Sequence, residues 1–238
     1  MSGLTQAVLF DFGGTLYDYR SLAAAEEESL AALAAWTGID ADMDTLRQAH
    51  RAALREVYHA YLPRRFYLHR DLFGDALART LEGFGRSADA DLLERHRRFQ
   101  WELHRRDFQL REGVLATLAA LRGRGLHVGM VSNIDQDQLL HLIDAAGLAP
   151  HFDAVLSSET AGACKPDPAI FAAALCRAGC RADEVLFVGD TLAQDIAGAN
   201  RAGMRSALLW HRDDRPPPAG DVRPTHVIRH IPELLALL

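Results

Sequence analysis

Apolar residues are spaced in two different ways along this chain of 238 residues. Residues 7–10, "AVLF", are an unbroken apolar run ended by Asp11, and Gly13 and Gly14 punctuate the chain just beyond it. That is the pattern of a short buried strand. From about residue 21 to 108 the spacing becomes helical. "SLAAAEEESLAALAAWTG" sets Leu22, Leu30, Leu33 and Trp36 at helical intervals and stops at Gly38. Stretches beginning at Met43, Arg70 and Ala90 repeat the pattern. Past Phe108, short apolar runs alternate with helical ones. Strands are predicted in "LHVGMVSN", "FDAVLSS", "EVLFVGD" and "MRSALLW", an edge strand in "THVIRH", and a closing helix in "IPELLALL". Strands that alternate with helices of about ten residues imply βαβ units and a parallel sheet. The expected fold is therefore α/β: a Rossmann-like parallel-sheet core with helices on both faces, residues 1–18 and 110–238. An all-helical domain, residues 19–109, is inserted directly after the first strand.

Composition narrows the function classes. The net charge of −6 gives no electrostatic support for binding nucleic acid. No run of 18 apolar residues is present, and "MSGLTQAVLF" lacks a charged n-region and a long h-region. With three cysteines, Cys164, Cys176 and Cys180, the expectation is a reduced, cytoplasmic protein without a membrane span. Cys176 and Cys180, four apart on a predicted helix, lack a second Cys/His pair and read as buried thiols rather than half a metal site. "RPPPAGD" at 215–221 reads as a surface loop without function. Lys165 is the sole lysine among 26 basic residues, so any chemistry that needs an amine has one residue to use.

The candidate chemistry falls at the strand ends, where an open parallel sheet binds its ligands. The first strand ends at Asp11, with Gly13, Gly14 and Thr15 after it; the second ends at Ser132 and Asn133. Lys165 follows the third in "ACKPDP", and Asp190 ends the fourth in "GDTLAQD", with Asp195 just beyond. Crowded carboxylates repel unless a cation lies among them, and oxygen ligands suit Mg²⁺. A divalent metal, a lysine and a hydroxyl amide cradle together describe a phosphoryl site.

These stretches resemble the haloacid dehalogenase-like superfamily, in the subclass with a helical cap after the first strand. "LFDFGGTL", "MVSN", "CKPDPAIF" and "VGDTLAQDIAGANRAGM" correspond to its four motifs, and the likeness covers essentially the whole chain. It implies Asp11 as a nucleophile that forms an aspartyl-phosphate. Ser132 and Asn133 would bind the transferring phosphoryl group, and Lys165 would neutralise nucleophile and phosphate. Thr15 would steady the loop. Mg²⁺ would be held by Asp11, Asp190, Asp195 and the backbone carbonyl of Gly13. A small phosphorylated or otherwise anionic substrate, and a monomer or homodimer, are implied by the same likeness.

Position 13 departs from the family's phosphatases, which carry an aspartate there as proton donor and general base. Three enzymatic readings compete. A phosphonatase needs a lysine in the insert, and none is there. A metal-independent 2-haloacid dehalogenase usually has tyrosine at this position and lacks the "GD" motif, which is intact here. A Mg²⁺-dependent phosphohydrolase whose acid/base comes from elsewhere, from Tyr17, Asp18 or the insert's histidines and arginines, or is not needed, is the reading adopted. A non-catalytic module that binds a phosphometabolite is the remaining alternative. In the insert, "YLPRRFYLHRD" offers Arg64, Arg65, His69 and Arg70 beside Phe66 and Tyr67 as a grip for an anionic or ring-bearing substrate.

Overall fold

The computed structural model describes residues 4–211, 216–217 and 220–238. Of the 215–221 loop, Arg215, Pro218 and Ala219 lie outside the described residues. The chain divides into two compact units, Met1–Asp18 with Gln109–Leu238, and Tyr19–Phe108.

The second unit is built from four helices, α1 (Ala23–Thr37), α2 (Met43–Tyr61), α3 (His69–Glu82) and α4 (Ala90–Asp107), led by a 3₁₀ turn at Tyr19–Leu22. Asp42 and Asp89 cap α2 and α4: each carboxylate accepts the backbone N–H three residues on, at 2.8 Å. Leu33, Leu77 and Leu81 form a buried cluster between α1 and α3. A buried histidine, His96, and a half-buried one, His104, belong to the same unit. His96 Nε2 lies 2.8 Å from Ser29 Oγ, and His104 Nε2 has no hydrogen-bond partner among the described residues. Burial, with neighbouring His50, pushes His96 down to about 4, and burial does the same to His104 against the pull of Asp107.

Both histidines are therefore neutral in the folded unit at a pH where the unfolded chain protonates them near 6.5. Between about pH 6.5 and 4 the unfolded state binds more protons, so stability falls as pH falls through that window and levels off below it. The expected loss is on the order of 2–3 kcal/mol per histidine. Urea unfolding at a series of pH values checks this. His96→Gln should flatten the acid limb, and an equally steep limb in that variant would assign the effect to carboxylates instead.

The first unit holds the sheet. Its strands are β1 (Ala7–Phe10), β2 (His127–Ser132), β3 (Ala154–Ser157), β4 (Val185–Gly189), β5 (Arg205–Leu209) and β6 (His226–Ile228). They lie in the order β3-β2-β1-β4-β5-β6 with every pairing parallel. The expected α/β core with a parallel sheet is thus present, with β6 at the edge. Ala7 and Leu9 join a core with Phe171 and Phe187, whose rings sit 5.3 Å apart. Val8 and Phe10, which point the other way, are equally buried. Burial on both faces is why these strands read as continuous apolar runs rather than alternating ones. The helices of this unit are α5 (Val114–Gly123), α6 (Gln136–Ala145), α7 (Ser158–Ala161), α8 (Pro168–Ala178) and α9 (Ala197–Arg201).

Three sequence expectations change in detail. The closing segment Ile231–Ala236 is a 3₁₀ helix, not an α-helix. Six residues that begin with an Ile-Pro pair offer too few i→i−4 bonds to meet the cost of nucleation. The helix predicted across "AQDIAGANRAG" opens with a π turn, Leu192–Ile196. Cys180 lies past the end of α8, because Gly179 takes a left-handed conformation there (φ 64°). Of the cysteines only Cys164 is buried, while Cys176 is exposed and Cys180 half-buried, so the expectation of two buried thiols on one helix is wrong.

Candidate active site

β1 is the strand at which the sheet order reverses: β2 and β3 run out on one side, β4 to β6 on the other. A crevice forms at the carboxyl end of such a switch point. The register sets what meets there. Phe10 pairs with both Met130 and Val188, so Asp11 is level with Val131 and Gly189. Ser132 and Asp190 come one step later. The backbone N–H of Asp11 continues the ladder to the Val188 carbonyl at 2.8 Å.

Asp11 is buried and each of its carboxylate oxygens has one donor. Thr15 Oγ1 donates to Oδ2 at 2.8 Å, and Lys165 Nζ donates to Oδ1 at 2.5 Å. The ammonium also donates to the Val131 carbonyl at 3.0 Å and pairs with Asp195 Oδ1 at 2.8 Å. Asp195 is fully buried because the π turn, with Ile196 N–H bonded to Thr191 O at 3.2 Å, holds it inward. Its second oxygen accepts the Thr191 N–H at 3.0 Å. Gly189 makes room: a Cβ there would stand 2.4 Å from the Asp195 Cβ. Gly14 does the same for Asp190, since its φ is +82° and a Cβ would stand 2.2 Å from Asp190 Oδ2.

Asp11, Asp190 and Asp195 each bring an oxygen into a group whose ligand atoms lie within 4.8 Å of one another. Burial, and then Asp11 and Asp195, push Asp190 up to about 7. Burial pushes Asp11 up to about 6 while Lys165 pulls it back. Lys165 is held above its ordinary value: burial opposes its charge, but Asp11 and Asp195 outweigh that. Three carboxylates against one ammonium leave an excess of two negative charges, the charge that a divalent cation neutralises. The donor set is all oxygen, which suits Mg²⁺.

The residues singled out in the sequence meet here to different degrees. Asp11, Thr15, Lys165, Asp190 and Asp195 form one connected cluster. Ser132, at the buried end of β2, pairs in register with Ser157. Asn133 is engaged elsewhere. Its Oδ1 accepts the Lys165 N–H at 2.6 Å and its Nδ2 donates to the Lys165 carbonyl at 3.0 Å, so both ends of the amide grip the lysine backbone. Gly13 is half-buried and bridges to Tyr17. Tyr17 is buried, edge-on to Phe12, and Asp18 faces Arg111 at 3.5 Å. Within the insert, the Arg64 guanidinium lies 3.8 Å over the Tyr61 ring, and Tyr67 stacks on His69.

One residue escaped the sequence reading. Arg111 donates from Nε and Nη2 to the Gly14 carbonyl at 3.0 and 2.8 Å. No local motif marks it, because it acts across 97 residues of sequence.

The sequence model of haloacid dehalogenase-like hydrolases matches residues 5–203. The chain is 30% identical over 217 residues to "Ribulose-1,5-bisphosphate 5-phosphatase" of Halopiger xanaduensis, covering 87% of this chain and 85% of that protein. Several other curated relatives align over about half of their own length. Among solved structures, the putative HAD-hydrolase YfnB of Bacillus subtilis bound to magnesium superposes with a TM-score of 0.80 at 25% identity, over 99% of both chains. The L-2-haloacid dehalogenase of Xanthobacter autotrophicus superposes with a TM-score of 0.76 at 25% identity, over 98% of both.

Proposed function

The chain belongs to the haloacid dehalogenase-like hydrolase family, and we propose that it is a Mg²⁺-dependent phosphohydrolase that works through an aspartyl-phosphate on Asp11. The observation that carries this reading is the ammonium of Lys165 set between Asp11 and Asp195 while Asp190 completes the acid group. A haloalkanoate site has no use for two further carboxylates beside its nucleophile, whereas a cation that offsets their charge also attracts phosphate. The Halopiger phosphatase and the magnesium-bound structural neighbour support the same choice.

Thr15 and Lys165 fix one oxygen each of Asp11, so the carboxylate is oriented before a substrate arrives. An Asp11 oxygen attacks phosphorus, the leaving oxygen departs with its electron pair, and water then cleaves the acyl-phosphate. Ser132 is assigned to the phosphoryl oxygens, and Lys165 offsets the charge that builds on them. Mg²⁺, held by Asp11, Asp190, Asp195 and the Gly13 carbonyl, would supply further charge neutralisation. Asn133 holds the backbone of the lysine through its side-chain amide. Position 13 gives no proton to the leaving oxygen. The substrates are therefore small phosphorylated molecules, and those with good leaving groups, acyl or aryl phosphates, are turned over fastest.

The test is phosphate release from p-nitrophenyl phosphate with and without Mg²⁺, run beside halide release from a 2-haloacid. Mg²⁺-dependent phosphate release supports the proposal. Metal-independent halide release would make the chain a dehalogenase.

A further inference from the structure

We infer that Arg111 is a positioning residue for the nucleophile loop: its guanidinium pins the Gly14 carbonyl and so sets where Asp11 and Asp190 stand. The inference rests on the reading of Asp11 as the nucleophile.

Residues 12–16 form a turn, with the Leu16 N–H bonded to the Phe12 carbonyl at 2.9 Å. Two consecutive glycines lie inside it, the least restrained backbone a loop can have. Gly14 is in the left-handed region, and its Cα abuts the Asp190 carboxylate so closely that a Cβ would clash. On its other side, the carbonyl of this buried glycine takes two donors from Arg111. The Arg111 backbone N–H bonds to the Leu16 carbonyl at 2.9 Å, so side chain and main chain of one residue hold both ends of the Gly14–Leu16 segment. The guanidinium is itself braced. Nη1 faces Asp18 Oδ2, and Nη2 faces His211 Nδ1, each at 3.5 Å. Thr15, the donor to Asp11, is the residue next to Gly14. A shift of Gly14 therefore moves two acids of the cluster: Asp190 by contact and Asp11 through Thr15. The planar fork of arginine suits a two-donor grip that an ammonium cannot reproduce.

Loss of a charged two-donor grip should lower kcat of Arg111→Ala for p-nitrophenyl phosphate by about 10- to 100-fold, with KM little changed. Dilute guanidinium should restore part of the rate, and Arg111→Lys should recover little of it. Amide exchange in residues 12–17 should quicken in both variants, while exchange in α2 stays as in the parent. An unchanged kcat, or unchanged exchange at 12–17, overturns the inference; a loss confined to KM would mean that Arg111 contacts substrate instead. Exchange needs no substrate. A parent protein that releases no phosphate would sink the proposed activity, and the exchange comparison would still decide the role of Arg111. If Arg111→Ala fails to fold, Arg111→Lys, which keeps the charge facing Asp18, decides it by the same two readouts.

Discussion

Asp11→Asn should abolish phosphate release while leaving the fold as stable as the parent or more so. The nucleophile is removed, and no other carboxylate stands where Thr15 and Lys165 hold this one. Removing a reacting group from a cooperating set typically costs about 10⁴-fold or more. The stability half of the prediction comes from the charge count. Asp11, Asp190 and Asp195 crowd one ammonium, and burial together with that repulsion already drives Asp190 up to about 7. Asparagine removes one of the repelling charges, still accepts a bond through its carbonyl oxygen, and leaves Lys165 paired with Asp195. Thermal unfolding and phosphate release measured on one preparation check both halves. Loss of activity together with a lower Tm would mean that Asp11 braces the fold, and residual turnover near the parent rate would place the nucleophile elsewhere.

That the acids and the lysine meet was legible in the sequence, for a physical reason. Strands buried on both faces advertise themselves as unbroken apolar runs, and in a parallel sheet the polar residues that end those runs share one edge. Asp11, Ser132 and Asp190 are found in that way. Lys165 stands out because the chain has no other lysine. What could not be read is where side chains turn once they arrive. Asn133 looks the same in sequence whether it faces a phosphate or grips the backbone of Lys165. The π turn that pushes Asp195 inward differs from an α-turn by one residue of hydrogen-bond register, which apolar spacing does not record. Arg111 is one of 25 arginines, and only the fold brings it to Gly14.

Gly13→Asp should raise turnover of alkyl phosphates by about 10²–10⁴-fold, the usual worth of a general acid and base. Aryl phosphates should gain far less, because their leaving oxygen departs without a proton. The loop can take the new side chain. The left-handed conformation and the close approach to Asp190 belong to Gly14, whereas Gly13 is half-buried and bridges to Tyr17 through its backbone. A carboxylate at 13 would add a fourth acid to a group that already carries excess negative charge, so its pKa should be raised, as a proton donor requires. Gly14→Ala is the contrasting control: a positive φ and a Cβ 2.2 Å from Asp190 Oδ2 should displace that acid and lower turnover of every phosphate alike. The ratio of alkyl to aryl rates in parent and variant is the measurement. If Gly13→Asp leaves that ratio where it was, a proton already reaches the leaving oxygen from another residue, and the preference for good leaving groups is not a consequence of this glycine.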